Sequence, residues 1–244
     1  MKFEFDKVGA EKAKEIENLK ERRSLISAIE KARAEGRIPI IAETKKASPS
    51  SGRISEIEPK DAAKLFEKAG ACAISVLTDK NFDGRICDLR QVKNSVSIPV
   101  LRKEFIVDEF QIYESHGNGA DAILLIAKLL KEKTREFVDV ANSLGMETLV
   151  EIHDEEDLEF AINSTSKIIG INNRDLKTME IELGTTERLA PKIPADRIIV
   201  SESGILGRED LDRVLAAGAQ AALIGTGIMK SENIEEKLRE FIRK

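Results

Sequence analysis

The feature that most constrains the fold is a pattern that repeats along the chain. A short aliphatic or β-branched run is followed by a polar turn and then by a charged stretch with helical spacing. Successive runs start roughly 20 to 34 residues apart, the length that a strand, a helix and two loops require. The eight runs are PIIAE near Ile40, AISVLT from Ala73, PVLRK from Pro99, AILLI from Ala122, TLVEI from Thr148, IIGIN from Ile168, IIVSE from Ile198 and AALIG from Ala221.

The runs lack the polar alternation of half-exposed antiparallel strands, so they predict parallel strands covered by helices. Eight such units match the size of a (β/α)8 barrel, whereas a doubly wound sheet normally uses fewer strands. The stretch from about Ala10 to Ala34 contains no Pro or Gly and predicts one or two helices before the barrel. We therefore predict one domain over residues 1–244, with a helical extension over about 1–36 and the barrel over about 37–244.

Composition excludes several classes of function. Nine Phe, one Tyr and no Trp indicate an aliphatic interior and disfavour an aromatic surface for single-stranded nucleic acid. The net charge of -5 disfavours a general polyanion binder but permits a locally positive pocket. Cys72 and Cys87 form no disulfide framework, and the charged N-terminus has no apolar signal core, which favours a reducing, cytoplasmic setting. The longest apolar run, residues 122–127, is too short to span a membrane and favours a soluble protein.

Candidate catalytic residues stand where the predicted strands end, which is where barrel enzymes build their sites. Charged groups beside buried strands cost desolvation energy unless they are paired or functional, so several of them at one mouth predict an active site. Thr78 and Lys128 also stand near strand ends. The catalytic candidates are Glu43, Lys45, Lys103, Glu151, Asn172 and Glu202.

Each candidate also has a structural interpretation. Glu43 and Lys45 share a face of an extended strand and could form an ordinary ion pair. Lys103 stands between Arg102 and Glu104, so a solvated charged loop is a fair alternative. For Glu151 the catalytic interpretation is favoured, because its apolar neighbours would hold its carboxylate at the rim of the core.

Two glycine-bearing turns predict an anion site. VSESGI starts at Val200 and LIGTGIMKSEN at Leu223, so the turns follow strands seven and eight, where barrel enzymes often bind phosphate through backbone amides. A third candidate is the serine-rich loop KKASPSSGRI from Lys45, with Ser48, Ser50 and Ser51 as donors. The alternatives are simple tight turns and a Ser-Pro turn that caps the next helix.

Other residues receive structural interpretations. His116 and His153 have no metal-ligand partner at a suitable spacing, and the acidic stretch 154–159 is interpreted as a solvated helix face. The run 173–175 is either a turn network or, through Arg174, a contact to a substrate carboxylate.

Eight segments, each at the end of its own predicted strand, together resemble the sequence motifs of one known enzyme family. They are IAETKKASPSSG from Ile41, SVLTDKNFDG from Ser75, LRKEFIVDEFQI from Leu101, ADAILLIA from Ala120, LVEIHDEEDL from Leu149, IGINNRDL from Ile169, SESGI from Ser201 and LIGTGIMK from Leu223. Together they resemble the indole-3-glycerol-phosphate synthase family over the chain from about Ile38 onward. Departures are Thr44, where an aromatic or aliphatic residue is more usual, and Gly227 in place of Ser, which predicts a looser phosphate turn.

The resemblance implies a (β/α)8 barrel with an N-terminal helical segment and a carboxy-lyase of tryptophan biosynthesis. Its reaction converts 1-(2-carboxyphenylamino)-1-deoxyribulose 5-phosphate to indole-3-glycerol phosphate, carbon dioxide and water, without a metal or organic cofactor. Lys103 would be the general acid for ring closure and Glu151 an acid or base in later steps. The remaining correspondences are Glu43, Lys45, Asn172 and Glu202 in the polar shell, Ser48, Ser203, Gly204, Gly225 and Thr226 at the phosphate, and Arg174 near the anthranilate carboxylate.

The expected partner is a small phosphorylated substrate, without nucleic acid or membrane, for a monomer that can contact other tryptophan-pathway enzymes. Two other interpretations remain open at this point. One is an aldolase-like barrel in which Lys103 or Lys45 forms a Schiff base with a sugar phosphate. The other is a barrel that binds a phosphorylated metabolite without catalysis. The related phosphoribosylanthranilate isomerase family has a strand-one cysteine, which is absent from this chain.

Overall fold

Eight parallel strands close into a barrel in the computed structural model, which describes residues 12, 14, 17, 19–48 and 52–243. Each strand pairs with the next one along the chain, and the last pairs with the first. The strands are β1 Ile40–Thr44, β2 Ala73–Leu77, β3 Val100–Lys103, β4 Ala122–Ile126, β5 Glu147–Ile152, β6 Ile168–Asn172, β7 Ile198–Glu202 and β8 Ala221–Ile224. The predicted (β/α)8 fold class is therefore confirmed.

One helix precedes β1, and the other helices follow the strands and cover the outside of the barrel. Their bounds are α1 Leu25–Ala34, α2 Pro59–Ala69, α3 Ile86–Lys93, α4 Glu109–Gly117, α5 Ala127–Leu130, α6 Thr134–Ser143, α7 Glu155–Ile162, α8 Gly184–Leu189, α9 Arg208–Ala216, α10 Thr226–Met229 and α11 Ile234–Ile242. A short antiparallel ribbon pairs Ala47–Ser48 with Gly52–Arg53 in the loop after β1. Across the described residues, the structure contains no helix that is both long and apolar enough to cross a membrane.

The alternation of side chains along each strand separates two apolar regions. Residues such as Ile40, Ala42 and Val150 point outward and pack under the helices, while Ile41 and Leu149 point into the barrel. Near-continuous hydrophobic strands are typical of parallel sheets buried on both faces. The same alternation decides which residue at each strand end points into the site.

Helix α1 closes the end of the barrel at which the strands begin. Its buried residues Leu25, Ile29 and Ala32 share one helical face and belong to the same apolar cluster as the barrel interior. The Ser24 hydroxyl donates to Glu147 at the start of β5 over 2.6 Å. Of the one or two helices predicted over about residues 10–34, the helix Leu25–Ala34 is confirmed, while residues 10, 11, 13, 15, 16 and 18 lie outside the described part of the chain. Helix α1 leaves the other end of the barrel open.

A buried ion pair joins the segment before α1 to the barrel. Lys93 Nζ lies 2.7 Å from Asp121 Oδ1, and both side chains are fully buried. Asp121 also accepts the backbone N–H groups of Arg23 and Val100, each over 2.8 Å. Asp121 therefore satisfies three donors from three different parts of the chain.

Candidate active site

One layer of the barrel interior consists of charged side chains. Glu43, Lys103, Glu151 and Glu202 come from β1, β3, β5 and β7, the alternate strands that fill one layer of such a barrel. Lys103 Nζ lies 2.5 Å from Glu202 Oε2, 3.6 Å from Glu151 Oε2 and 4.0 Å from Glu43 Oε2. Three carboxylates thus surround one ammonium group.

Burial and charge act in opposite directions on these groups. Burial disfavours the Lys103 cation, but Glu202, Glu151 and Glu43 outweigh it and raise the pKa of Lys103. Burial also opposes the Glu151 anion, yet Lys103, His153 and Asn172 together lower the pKa of Glu151 to about 2. Burial raises the pKa of Glu202 to about 7 despite the attraction of Lys103. The layer therefore holds a protonated amine, an ionised carboxylate and a carboxyl group that titrates near neutrality.

The charged layer forms the floor of a pocket of about 670 Å³ at the carboxyl ends of the strands. Lys45 reaches into the pocket from the β1 end, with Nζ 3.1 Å from Glu43 Oε1 and 5.5 Å from the centre of the Phe82 ring. Apolar side chains complete much of the wall. They include Leu77, Phe105, Leu124, Ile126, Leu176, Met179, Ile181 and Leu223. The pocket combines concentrated charge with a surface for an apolar group.

The turns after β7 and β8 meet at one side of the pocket. Ser203 and Gly204 adopt left-handed backbone conformations, with φ of 66° and 84°. Such conformations are strained for non-glycine residues and cluster at ligand sites. A Cβ on Gly227 would lie 2.5 Å from the Ile205 carbonyl oxygen, so the two turns are in close contact. The absent side chain at Gly227 permits this close packing of the two turns.

Asn173 organises the turn after β6. Its side-chain amide donates to Ser201 Oγ and to the backbone oxygens of Glu202 and Ser203, each over 3.0 Å. Arg174 lines the pocket and donates from Nη1 to the Met179 carbonyl over 3.1 Å. The turn network is thus present, and Arg174 is part of the pocket wall as well.

The solvated-loop interpretation of residues 102–104 is wrong. Arg102 is 3 % exposed and donates to Thr78 Oγ1 over 3.0 Å and to Ser115 Oγ over 2.9 Å. The Thr78 hydroxyl in turn donates to Glu104 over 2.6 Å. Because Arg102 points outward from β3, its neighbour Lys103 points into the barrel. This network fixes the strand end that carries the central ammonium group.

His153, which the sequence left without a functional partner, contacts the charged layer. Its Nε2 lies 3.2 Å from Glu151 Oε1 and its Nδ1 3.2 Å from Asp157 Oδ2. Asp157 is buried, so the interpretation of residues 154–159 as a solvated face is wrong at this position. The only available sequence signal was the spacing of four residues between an imidazole and a carboxylate at a helix start.

The chain matches the family model described as indole-3-glycerol phosphate synthase over residues 4–241. It belongs to the indole-3-glycerol phosphate synthase family. A relative of that name from Caldanaerobacter subterraneus subsp. tengcongensis is 49 % identical over 86 % of this chain and 82 % of its own. Another from Aquifex aeolicus is 46 % identical, over 94 % and 91 % of the two chains.

Solved structures extend the likeness at the level of the fold. Thiamine phosphate pyrophosphorylase from Pyrococcus furiosus superposes with a TM-score of 0.61 at 13 % identity, over 84 % of this chain and 93 % of its own. At that identity the likeness concerns the barrel alone. The family membership of the chain therefore rests on the family model and the sequence relatives.

The structure of this synthase-family chain brings most of the predicted site residues together. Glu202 is not on the pocket wall but contacts Lys103 directly beneath it. The side chain of Ser48 lies outside the described part of the structure, as do Ser50 and Ser51. Lys128 pairs with Asp154 over 2.7 Å and does not line the pocket. The predicted residues on the pocket wall are Glu43, Lys45, Lys103, Glu151, Asn172, Arg174, Ser203, Gly204, Gly225 and Thr226.

We expect the stability of this synthase-family fold to fall as pH rises from 7 to 9. Burial opposes the His153 cation, but Asp157 and Glu151 outweigh it and raise the pKa of His153 to about 9. Because its pKa is higher in the folded state, His153 stabilises the fold fully at pH values below the ordinary imidazole pKa. This stabilisation is lost as the pH rises from there to about 9. At about 1.4 kcal/mol per pKa unit, the loss is on the order of 2 to 3 kcal/mol.

Denaturant unfolding between pH 6.5 and 9 measures this effect. Glu202, whose pKa is raised to about 7, changes the free energy of unfolding mainly below pH 7. The change in stability between about pH 8 and 9 therefore comes from His153. The His153→Gln variant should lose most of the slope, while His116→Gln should keep it. An equal slope in the wild type and His153→Gln would contradict the assignment.

Proposed function

We propose that Lys103 is the general acid that protonates the substrate's carbonyl oxygen as the indole ring closes. The observation that carries the proposal is the Lys103 ammonium group among three carboxylates at the floor of the pocket. Attack of the aromatic carbon on the carbonyl carbon moves an electron pair onto oxygen, and a nearby ammonium group stabilises that charge and supplies the proton.

The same charges favour acid catalysis over Schiff-base chemistry. A lysine that attacks a carbonyl must be neutral, and such lysines are usually activated by a lowered pKa. The carboxylates around Lys103 act in the opposite direction and raise its pKa. Borohydride should therefore trap no adduct between the protein and a sugar phosphate, and a trapped adduct at Lys103 would contradict the acid role.

Glu151 and Lys45 are suited to the later proton transfers. After ring closure, loss of the carboxylate as carbon dioxide restores the aromatic ring. The remaining hydroxyl then leaves as water, which needs an acid at the leaving oxygen and a base for the proton that is removed. We assign the base to Glu151, which is ionised at neutral pH, and the acid to a lysine. Asn172, at the end of β6, is placed to orient substrate hydroxyl groups.

The two ends of the substrate match two parts of the pocket. The turns containing Ser203, Gly204, Gly225 and Thr226 offer backbone N–H groups to the phosphate, and the serine loop at Ser48 follows the neighbouring strand. The apolar wall fits the aromatic ring, and Arg174 can meet its carboxylate. Anchoring both ends would hold the reacting carbons close together.

A direct assay tests the proposed activity. The purified protein should convert 1-(2-carboxyphenylamino)-1-deoxyribulose 5-phosphate into a product with indole absorbance and fluorescence, with release of carbon dioxide. No metal needs to be added, so treatment with a chelator should leave the rate unchanged. A protein that is folded and binds this substrate but forms no indole would overturn the proposal.

Gly204→Ala should weaken substrate binding by roughly 10-fold in KM, with a smaller change in kcat. A Cβ at this left-handed position would lie 2.5 Å from Ile181 Cγ2, so the turn must move. Gly36→Ala is the matched control, because Gly36 has φ of 75° but open space around its Cβ position. If both variants change KM equally, the turn after β7 does not hold the phosphate.

We further propose that the chain works as a single domain and as a monomer in the cytoplasm. Two free cysteines, one of them buried, are compatible with a reducing compartment. Sedimentation at micromolar concentration measures the oligomeric state, and a dimer would contradict the monomer. Contacts with other tryptophan-pathway enzymes can be tested by adding those enzymes to the same experiment.

A further inference from the structure

We propose that His153 and Asp157 form a positioning pair that holds the Glu151 carboxylate ionised and fixes which of its oxygens faces the substrate. The inference rests on the proposed function, because it gives Glu151 its orientation for that reaction. Neither residue lines the pocket, so both act through Glu151.

The first argument is the division of the two carboxylate oxygens. Glu151 Oε1 lies 3.2 Å from His153 Nε2, whereas Oε2 lies 3.6 Å from Lys103 Nζ. One oxygen therefore lies within ion-pair distance of the imidazole at the back of the layer, and the other lies beside the general acid. A carboxylate without the rear contact could rotate and exchange these positions, since its terminal torsion is soft.

The second argument is that His153 is itself held from behind. Asp157 Oδ2 lies 3.2 Å from the ring atom Nδ1 and accepts the His153 backbone N–H over 2.9 Å. Asp154 caps the same helix by accepting the Asp157 N–H over 3.0 Å. Two carboxylates on opposite sides of one imidazole favour the form that carries protons on both nitrogens. A carboxylate that orients a histidine is a recurring device in acid–base sites.

The third argument is the charge around the pair. Asp154 faces the same region but is paired with Lys128 over 2.7 Å, and the Arg188 side chain reaches the His153 carbonyl oxygen. On the pocket side, Lys103 faces Glu151. Glu151 thus lies between two cations, and His153 is the one that does not contact the other glutamates of the layer.

The charge balance explains what the pair adds to the site. Glu43, Glu151 and Glu202 are three acids in one layer, and among the described residues Lys45 and Lys103 are the two lysines within ion-pair distance of them. The His153 imidazolium is the third cation. Without it, Glu151 would take up a proton more readily and compete less well as a base.

Steady-state kinetics of His153→Gln test the positioning role. We expect kcat to fall roughly 10-fold to 100-fold, because a misplaced catalytic group costs rate, while KM stays within about twofold. The acid limb of the kcat–pH profile should move to higher pH as Glu151 loses a cation. Asp157→Asn should produce the same shifts to a smaller extent. His116→Gln, which changes the chain's other histidine, is the control and should leave both unchanged.

Histidine NMR tests the pair without substrate. The chain has two histidines, so a ¹⁵N-histidine sample gives two rings that His116→Gln assigns. At pH 7.5 we expect both nitrogens of His153 to be protonated and the His116 ring to be neutral, because burial and Arg22 lower the pKa of His116. Glu151→Gln should lower the pH at which His153 titrates.

The two experiments separate the possible failures. A wild-type protein that forms no indole overturns the proposed function, while the NMR result still decides whether the charged pair exists. A His153 ring that is neutral at pH 7.5 overturns the pair. So does a folded His153→Gln variant with unchanged kcat and an unchanged acid limb.

Discussion

Replacement of Lys103 by Ala is expected to lower turnover roughly 100-fold to 10,000-fold, the range that a general acid contributes. The variant removes the proton donor and also the only cation that contacts all three carboxylates of the layer among the described residues. The fold should persist, because Glu202 already has a pKa raised by burial to about 7 and can take up a proton. We therefore expect loss of catalysis without loss of structure.

The loss of stability in Lys103→Ala should depend on pH. Without the ammonium group the folded-state pKa values of the buried carboxylates rise, and acids with raised values stabilise the fold less as pH increases. The variant should therefore be closer to wild-type stability at pH 5 than at pH 8. Circular dichroism and denaturant unfolding at both pH values check this expectation, alongside the indole assay.

Lys192→Ala provides the matched control for Lys103. Its ammonium group pairs with Glu155 over 2.7 Å on the exposed surface. Such pairs contribute about 0 to 1 kcal/mol, so activity and stability should change little. Near-native turnover in Lys103→Ala would show that the general acid is another group.

Asp121→Ala should destabilise the protein by about 3 to 5 kcal/mol, the usual result of removing one partner of a buried ion pair. Lys93 would keep a buried charge, although burial already lowers its pKa against the attraction of Asp121. The backbone N–H groups of Arg23 and Val100 would also lose their acceptor. The melting temperature should fall by about 6 to 20 °C for a chain of this size.

Two further variants test the origin of this loss. Asp196→Ala removes an exposed pair with Lys167 and should leave the stability nearly unchanged. Lys93→Met combined with Asp121→Ala should be more stable than Asp121→Ala alone, because no charge is then left buried without a partner. If the double variant were the less stable of the two, an unpaired Lys93 charge would not be the cause.

The barrel and the centre of the site could be predicted from the sequence because both depend on the pattern of residues within single strands. A buried parallel strand is an aliphatic run, and the charged residue that interrupts its end is conspicuous. This pattern predicts Glu43, Lys103 and Glu151. Their direction into the barrel also follows from the alternation of side chains.

Residues that act from outside the barrel interior could not be found by the same signal. Arg102 alternates with Lys103 and so points away from the pocket, where its partners come from other segments of the chain. His153 meets Asp157 only because the chain turns into a helix directly after β5. Asp121 gathers donors from distant segments. Pairing across segments depends on tertiary packing, which no local pattern records.

The charged layer takes its residues from strands along the whole barrel, so activity requires that the whole barrel is folded. Lys103 and Glu202 are 99 residues apart in sequence, and the first half of the chain supplies Glu43 and Lys103 while the second supplies Glu151 and Glu202. A fragment with only the second half of the strands would bury Glu151 and Glu202 without the central ammonium group, and one with only the first half would leave Lys103 with Glu43 alone. Contacts of such long range form late in folding, after much chain entropy has been lost. During refolding, indole-forming activity should therefore recover last, together with closure of the barrel.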